Sequence, residues 1–108
     1  MSALNVFKTV AAEITTTPTV IYTAPSDKSS IILMAQVANI TSTAGTVTFA
    51  HVNGSTETEL LKDFGIPGND AAAATTGKLV LEQGHSVKVS GSANNKFKVT
   101  LSILETSN

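Results

Sequence analysis

The chain has no cysteine, no tryptophan, a single tyrosine and charged residues at only 14% of its 108 positions. Each shortage excludes something. Without cysteine there is no disulfide framework and no thiolate metal site. A formal net charge of -1 leaves neither a basic field for phosphates nor an acidic tail, so nucleic acid is not an expected partner. The longest apolar run, around Ile31 to Ala35, falls far short of the roughly 20 residues a membrane-crossing helix needs. The first ten residues lack the basic start and long apolar stretch of a signal peptide. A soluble chain made in the cytoplasm, with no membrane partner, is the expectation.

Hydrophobic residues at 42% are near the usual proportion, whereas about 25% charge is typical of a soluble domain. Threonine, serine, alanine and asparagine fill the deficit. Free monomers keep themselves dispersed with mixed charge, so a neutral, hydroxyl-rich exterior points to a surface covered by neighbouring proteins. The alternative is a neutral β domain of extracellular type. The length suits one domain.

Period-2 alternation and turn dipeptides dominate, and no segment keeps a helical apolar stripe. Asn53-Gly54 separates Thr46 to Val52 from Ser55 to Leu61, predicting a hairpin with a type I′ turn. That register sets Phe49 opposite Thr58 and Val47 opposite Leu60, with Thr48, Ala50, Glu57 and Glu59 on the outer side. Phe97 to Leu104 reads as a half-buried strand with Phe97, Val99, Leu101 and Ile103 inward. Ser30 to Asn39 is apolar at both parities, which suits a central strand covered on both faces or facing a subunit contact. Thr19 to Ala24 is a further strand, and Leu4 to Ala11 a first strand or arm; turns fall at Pro25 to Lys28, Thr43 to Gly45 and Gly91 to Asn95.

Leu79 to Leu81 and Val87 to Val89 flank a corner, Glu82-Gln83-Gly84-His85, in which Gly84 supplies a positive φ. With the strand from Phe97 these two are expected to form an antiparallel meander. The predicted fold is all-β: one antiparallel sandwich of jelly-roll type over residues 18–108, preceded by an arm or first strand at 1–17. Phe64 to Gly77 is the one long irregular stretch, rich in alanine. Long loops in compact domains tend to be functional, so Gly65 to Gly77 is assigned an intersubunit contact.

Catalytic, cofactor-binding and metal residues are all expected to be absent. His85 adjoins Ser86, but strand neighbours point to opposite faces, so the pair is no base and nucleophile. His51 shares the inner parity of Phe49 near the hairpin end, where a partly exposed, hydrogen-bonded histidine is expected. The acids Glu13, Asp27, Glu57, Glu59, Asp63, Asp70, Glu82 and Glu105 show no ligand spacing. Phosphate loops and nucleophile elbows are missing. Glycan binding is the rival of a different kind, weakened because sugar platforms use exposed aromatic rings and the alternation sends several of the four phenylalanines to the core.

Residues Ile21 to Thr41 and Gly77 to Glu105 carry a resemblance. An apolar residue followed by Tyr-Thr-Ala-Pro-Ser (Ile21 to Ser26), a strand ending Ala-Asn-Ile-Thr (Ala38 to Thr41), a Leu-x-x-Gly-x-Ser corner (Leu81 to Ser86) and the closing strand Val99 to Glu105 form the pattern. It resembles the small virion structural proteins of tailed bacteriophages, notably those of marine bacteria and cyanobacteria. His85 departs from the pattern, which has an aspartate there to brace the turn. The resemblance implies a particle component without catalytic work. A capsid decoration or cement protein on the capsid exterior is expected, bound to the major capsid protein or other virion proteins and self-associating as a trimer or dimer. A tail, neck or fibre component is the structural alternative. The surfaces assigned to contact are Ser2 to Thr17 and Gly65 to Gly77.

Overall fold

The computed structural model describes residues 5–75 and 77–107. Its strands are β1 Asn5–Ile14, β2 Thr19–Thr23, β3 Lys28–Asn39, β4 Gly45–Asn53, β5 Thr56–Ile66, β6 Ala71–Ala73, β7 Leu79–Leu81, β8 Ser86–Gly91 and β9 Phe97–Ser107. No helix occurs among the described residues. One sheet has the order β1-β9-β3, with β6 and β7 sharing the far side of β3; the other has the order β2-β8-β4-β5, and all pairings are antiparallel. This is an all-β sandwich of jelly-roll topology in which one strand of the first sheet is broken into β6 and β7.

Alternation builds the core. On β9, Phe97, Val99, Leu101 and Ile103 are buried while Lys98 is exposed. Facing them from the second sheet are Val47, Phe49, Val87 and Val89, all buried. Each such side chain taken fully from water contributes about 1.5–3 kcal/mol before the entropy of ordering it.

β3 is apolar at both parities for a reason the sequence pattern hid. Its buried residues are Ser30 and Ile32, then Ala35, Val37 and Asn39. The change of parity coincides with a register shift against β9 between Ile32 and Met34. A bulge inserts one residue, so the inward set passes from even to odd numbers. The strand is central, as its composition predicts.

Three expectations need correction. The hairpin turns one residue later than predicted: Asn53 pairs with Thr56, so Gly54 and Ser55 form the loop. Gly54 has φ +61°, whereas Asn53 is not among the positive-φ residues, which fits a type II′ turn with glycine first. Phe49 consequently faces Leu61, and Val47 faces Phe64 across a register shift near Asp63, whose φ is 47°. Packing Leu61 and Ile66 against the core outweighs the local preference for Asn-Gly.

The meander does not form. β7 pairs with β3 in the first sheet, β8 with β2 and β4 in the second, and β9 returns to the first. The corner at Glu82 to His85 crosses between sheets; Gly84, at φ +82°, has the predicted sign.

The long stretch is not an irregular loop. β5 extends to Ile66, and Ala71–Ala73 pairs with Ala38, Val37 and Gln36 of β3. Asn69 N–H donates to Thr41 O and Ala74 N–H to Ala35 O, each at 2.8 Å. Thr76 lies outside the described residues. At the other end, Asn5 to Ile14 pairs with β9 over ten rungs, so this part of the arm is a strand; residues 2–4 of the assigned contact surface lie outside the described residues.

Candidate functional site

The first sheet turns one face to the core and the other to solvent. On the solvent face, Phe7 stands opposite Leu104, Leu104 opposite Ile31, and Ile31 opposite Val80. Four apolar side chains thus form a row across β1, β9, β3 and β7, about 14 Å long at the usual strand spacing. Phe7 is 75% exposed and Val80 57%, with Leu104 and Ile31 half-buried between them.

Along the same face the successive rungs hold Thr9, Ser102 and Met34, then Ala11, Thr100, Gln36 and Ala73. Along these rungs the first charged residues are Glu13 and Lys98, which stand opposite each other. The outside of the second sheet is the reverse: Glu57, Glu59, Lys62, Asp63 and Lys88 surround a shallow hollow of about 230 Å³, and Lys88 Nζ lies 3.0 Å from Glu57. One face is built to stay in water. The other is neutral and carries a band of exposed hydrocarbon, the composition of an interaction surface.

The two segments singled out in the sequence lie at opposite edges of this neutral face. The assigned arm supplies Phe7, Thr9 and Ala11 along β1; the assigned loop supplies Ala71 and Ala73 through β6. They flank one sheet. Ile31, Leu104 and Val80 were missed, because only the pairing of β9 with both β1 and β3 sets them in one row. A search for apolar residues at outward parity would have found Leu104 and Val80.

The structure also joins the two histidines. His51 Nε2 and His85 Nδ1 are 3.0 Å apart, with ring centroids 5.0 Å apart and planes tilted by 53°. His51 faces Val87 across the β4–β8 ladder, so His85, two residues before Val87, lies diagonally on the same side. Burial, and then His85, push the imidazole of His51 below its usual pKa, opposed by the carboxylate of Glu82. The expected hydrogen bond of His51 is present; its partner was not legible, since β4 and β8 are far apart in sequence.

Beneath the sheets, Tyr22 Oη bonds Glu105 at 2.5 Å and Ser30 Oγ at 2.7 Å, and Lys8 Nζ reaches Glu105 at 3.2 Å. Desolvation, then the Glu105 bond, hold the Tyr22 phenol neutral with its pKa pushed up to about 12. Such a phenol is a structural tie and a poor nucleophile. A cleft at the sandwich edge, lined by Leu60, Leu61, Ala74 and Leu79, measures about 210 Å³. That is below the roughly 300–1,000 Å³ of small-molecule pockets. No three His, Asp or Glu side chains gather as a metal-binding group among the described residues.

With the strand order and the neutral face established, the class is a jelly-roll β-sandwich. No family model and no curated protein matches the chain. Among solved structures it is similar to a protein of the disulfide-linked pili that form Bacillus endospore appendages, with a TM-score of 0.59 and 15% sequence identity over 96% of this chain and 87% of that one. The likeness is one of fold. These 108 residues contain no cysteine, so they hold no disulfide link of that kind.

Proposed function

We propose that the chain is a virion structural protein of the capsid-decoration kind, seated on the major capsid protein through the solvent face of its first sheet. The observation that carries this reading is the row Phe7, Leu104, Ile31, Val80 on a face along whose paired rungs the first charged residues are Glu13 and Lys98. The sequence resemblance supplies the partner, and apolar burial supplies the mechanism. At about 25 cal/mol per Å² of apolar area, modest interfaces repeated over a shell sum to a large stabilisation. The charged outside of the second sheet would then face solvent.

The test is co-sedimentation of the purified chain with shells of its own virion that lack it. The double variant Phe7→Asp, Val80→Lys should remain in the supernatant while the parent pellets with shells. Equal pelleting of the two would overturn the assignment of this face.

A second structural reading, a tail, neck or fibre component, draws on the similarity to a pilus protein. Gold labelling of intact particles separates the two: label over the whole shell supports decoration, and label confined to one vertex supports the alternative.

A further inference from the structure

We infer that the His51–His85 pair is a binding site for a divalent transition-metal ion of the Cu²⁺ or Ni²⁺ type, independent of the interaction face. The chain has two histidines and no cysteine, and the fold brings both imidazoles together from positions 34 residues apart.

The two nitrogens, 3.0 Å apart, hold each other through one hydrogen bond; with that bond broken and the rings turned, both imidazoles can reach one ion. Square-planar and octahedral ions accept two adjacent imidazoles with water in the remaining positions. Cu²⁺ also heads the affinity order for nitrogen donors. Both rings are half-buried at the end of the core, so water retains access to the remaining coordination positions.

The backbone holds the corner in place. Ala24 N–H donates to His85 O at 2.9 Å, Gly84 N–H to Ala24 O at 3.0 Å, and His85 N–H to Glu82 O at 2.9 Å. His51 is fixed by the ladder to Val87 and Thr58. Glu82 lies within electrostatic range of His51 and offsets the ion's charge.

In the metal-free pair one ring donates its N–H to the other. Binding turns both lone pairs toward the ion, and the donor ring shifts its proton through solvent to its other nitrogen. A neutral pair therefore releases no net proton on binding. Other charged groups near this end, the Lys88–Glu57 ion pair, lie on the outer parity of the second sheet.

The experiment is titration of the full chain with Cu²⁺ at pH 7.5 by calorimetry, with electron paramagnetic resonance of the loaded protein. We expect one ion per chain and nitrogen hyperfine coupling from two imidazoles. His51→Gln and His85→Gln should each weaken binding at least tenfold, since loss even of outer-sphere support costs 10–100-fold at metal sites. Circular dichroism and metal-free melting of each variant check folding. Should a variant fail to fold, the hyperfine pattern of the parent decides, because a site elsewhere on the chain shows no pair of imidazole nitrogens. Unchanged affinity in either folded variant, or a spectrum without two imidazole nitrogens, overturns the inference.

Discussion

The phenol of Tyr22 on β2 donates a 2.5 Å hydrogen bond to the carboxylate of Glu105 on β9, tying the two sheets together through their buried side. Glu105 continues the inward parity of Phe97 to Ile103, so the alternation that fills the core also delivers a carboxylate to its end. Lys8 Nζ also reaches Glu105, and Ser30 Oγ hydrogen-bonds the Tyr22 phenol. A buried charge is tolerated there because it is hydrogen-bonded and paired.

This tie predicts a pH dependence at both extremes. The Tyr22 bond, aided by Lys8 and opposed by desolvation, holds the Glu105 carboxyl below its ordinary 4.5. A depressed carboxylate contributes stability that is present above the unfolded pKa and lost as pH falls through the folded one. Tyr22 behaves oppositely: with its pKa raised from 10.0 to about 12, its contribution is complete below pH 10 and lost as pH rises toward 12. Tyr22→Phe should cost about 1.5–3 kcal/mol at neutral pH, the usual range for a hydrogen bond to a charged group, and flatten both limbs. Urea midpoints of parent and variant from pH 3 to 12 check this.

Asn39 satisfies its whole side-chain amide at the opposite end. Nδ2 donates to Thr43 O at 2.8 Å and to Ile66 O at 3.1 Å, and Oδ1 accepts from Thr41 N–H at 3.0 Å and Thr41 Oγ1 at 2.8 Å. Asn39→Ala should destabilise by about 2–4 kcal/mol, because it leaves several groups in a buried setting without partners. Asn39→Asp should be at least as costly at neutral pH, since it turns two donors into acceptors facing carbonyls. Equilibrium denaturation measures both.

Two glycines three residues apart should respond differently to alanine. A Cβ on Gly68 would lie 2.3 Å from the backbone of Ser42, so Gly68→Ala must displace main chain and should cost about 1–3 kcal/mol. Gly65 has nothing within 4 Å of the same atom, and Gly65→Ala should be neutral or stabilising by up to about 1 kcal/mol. Melting temperatures of the two variants provide the comparison.

The neutral face should be separable from folding. Phe7 and Val80 are largely in solvent, so Phe7→Asp with Val80→Lys should change unfolding free energy by no more than about 0.5 kcal/mol per substitution. A loss of several kcal/mol would identify the row as part of the packed structure and remove it as an interaction surface.

Period-2 alternation determined much of this protein by itself. It sufficed for an all-β sandwich and for the inward set Phe97, Val99, Leu101 and Ile103, because side chains on a strand alternate whatever the strand pairs with; apolarity at both parities marked β3 as central, and turn chemistry gave the positive φ of Gly84. Tertiary structure decided what depends on partners distant in the chain. Pairing β9 with both β1 and β3 assembled the apolar row, the bulge near Met34 reversed parity within one strand, and the β4–β8 ladder brought His51 to His85. Register is chosen by the burial of whole faces against each other, and local turn preference yields to it, as it does at Asn53 and Gly54.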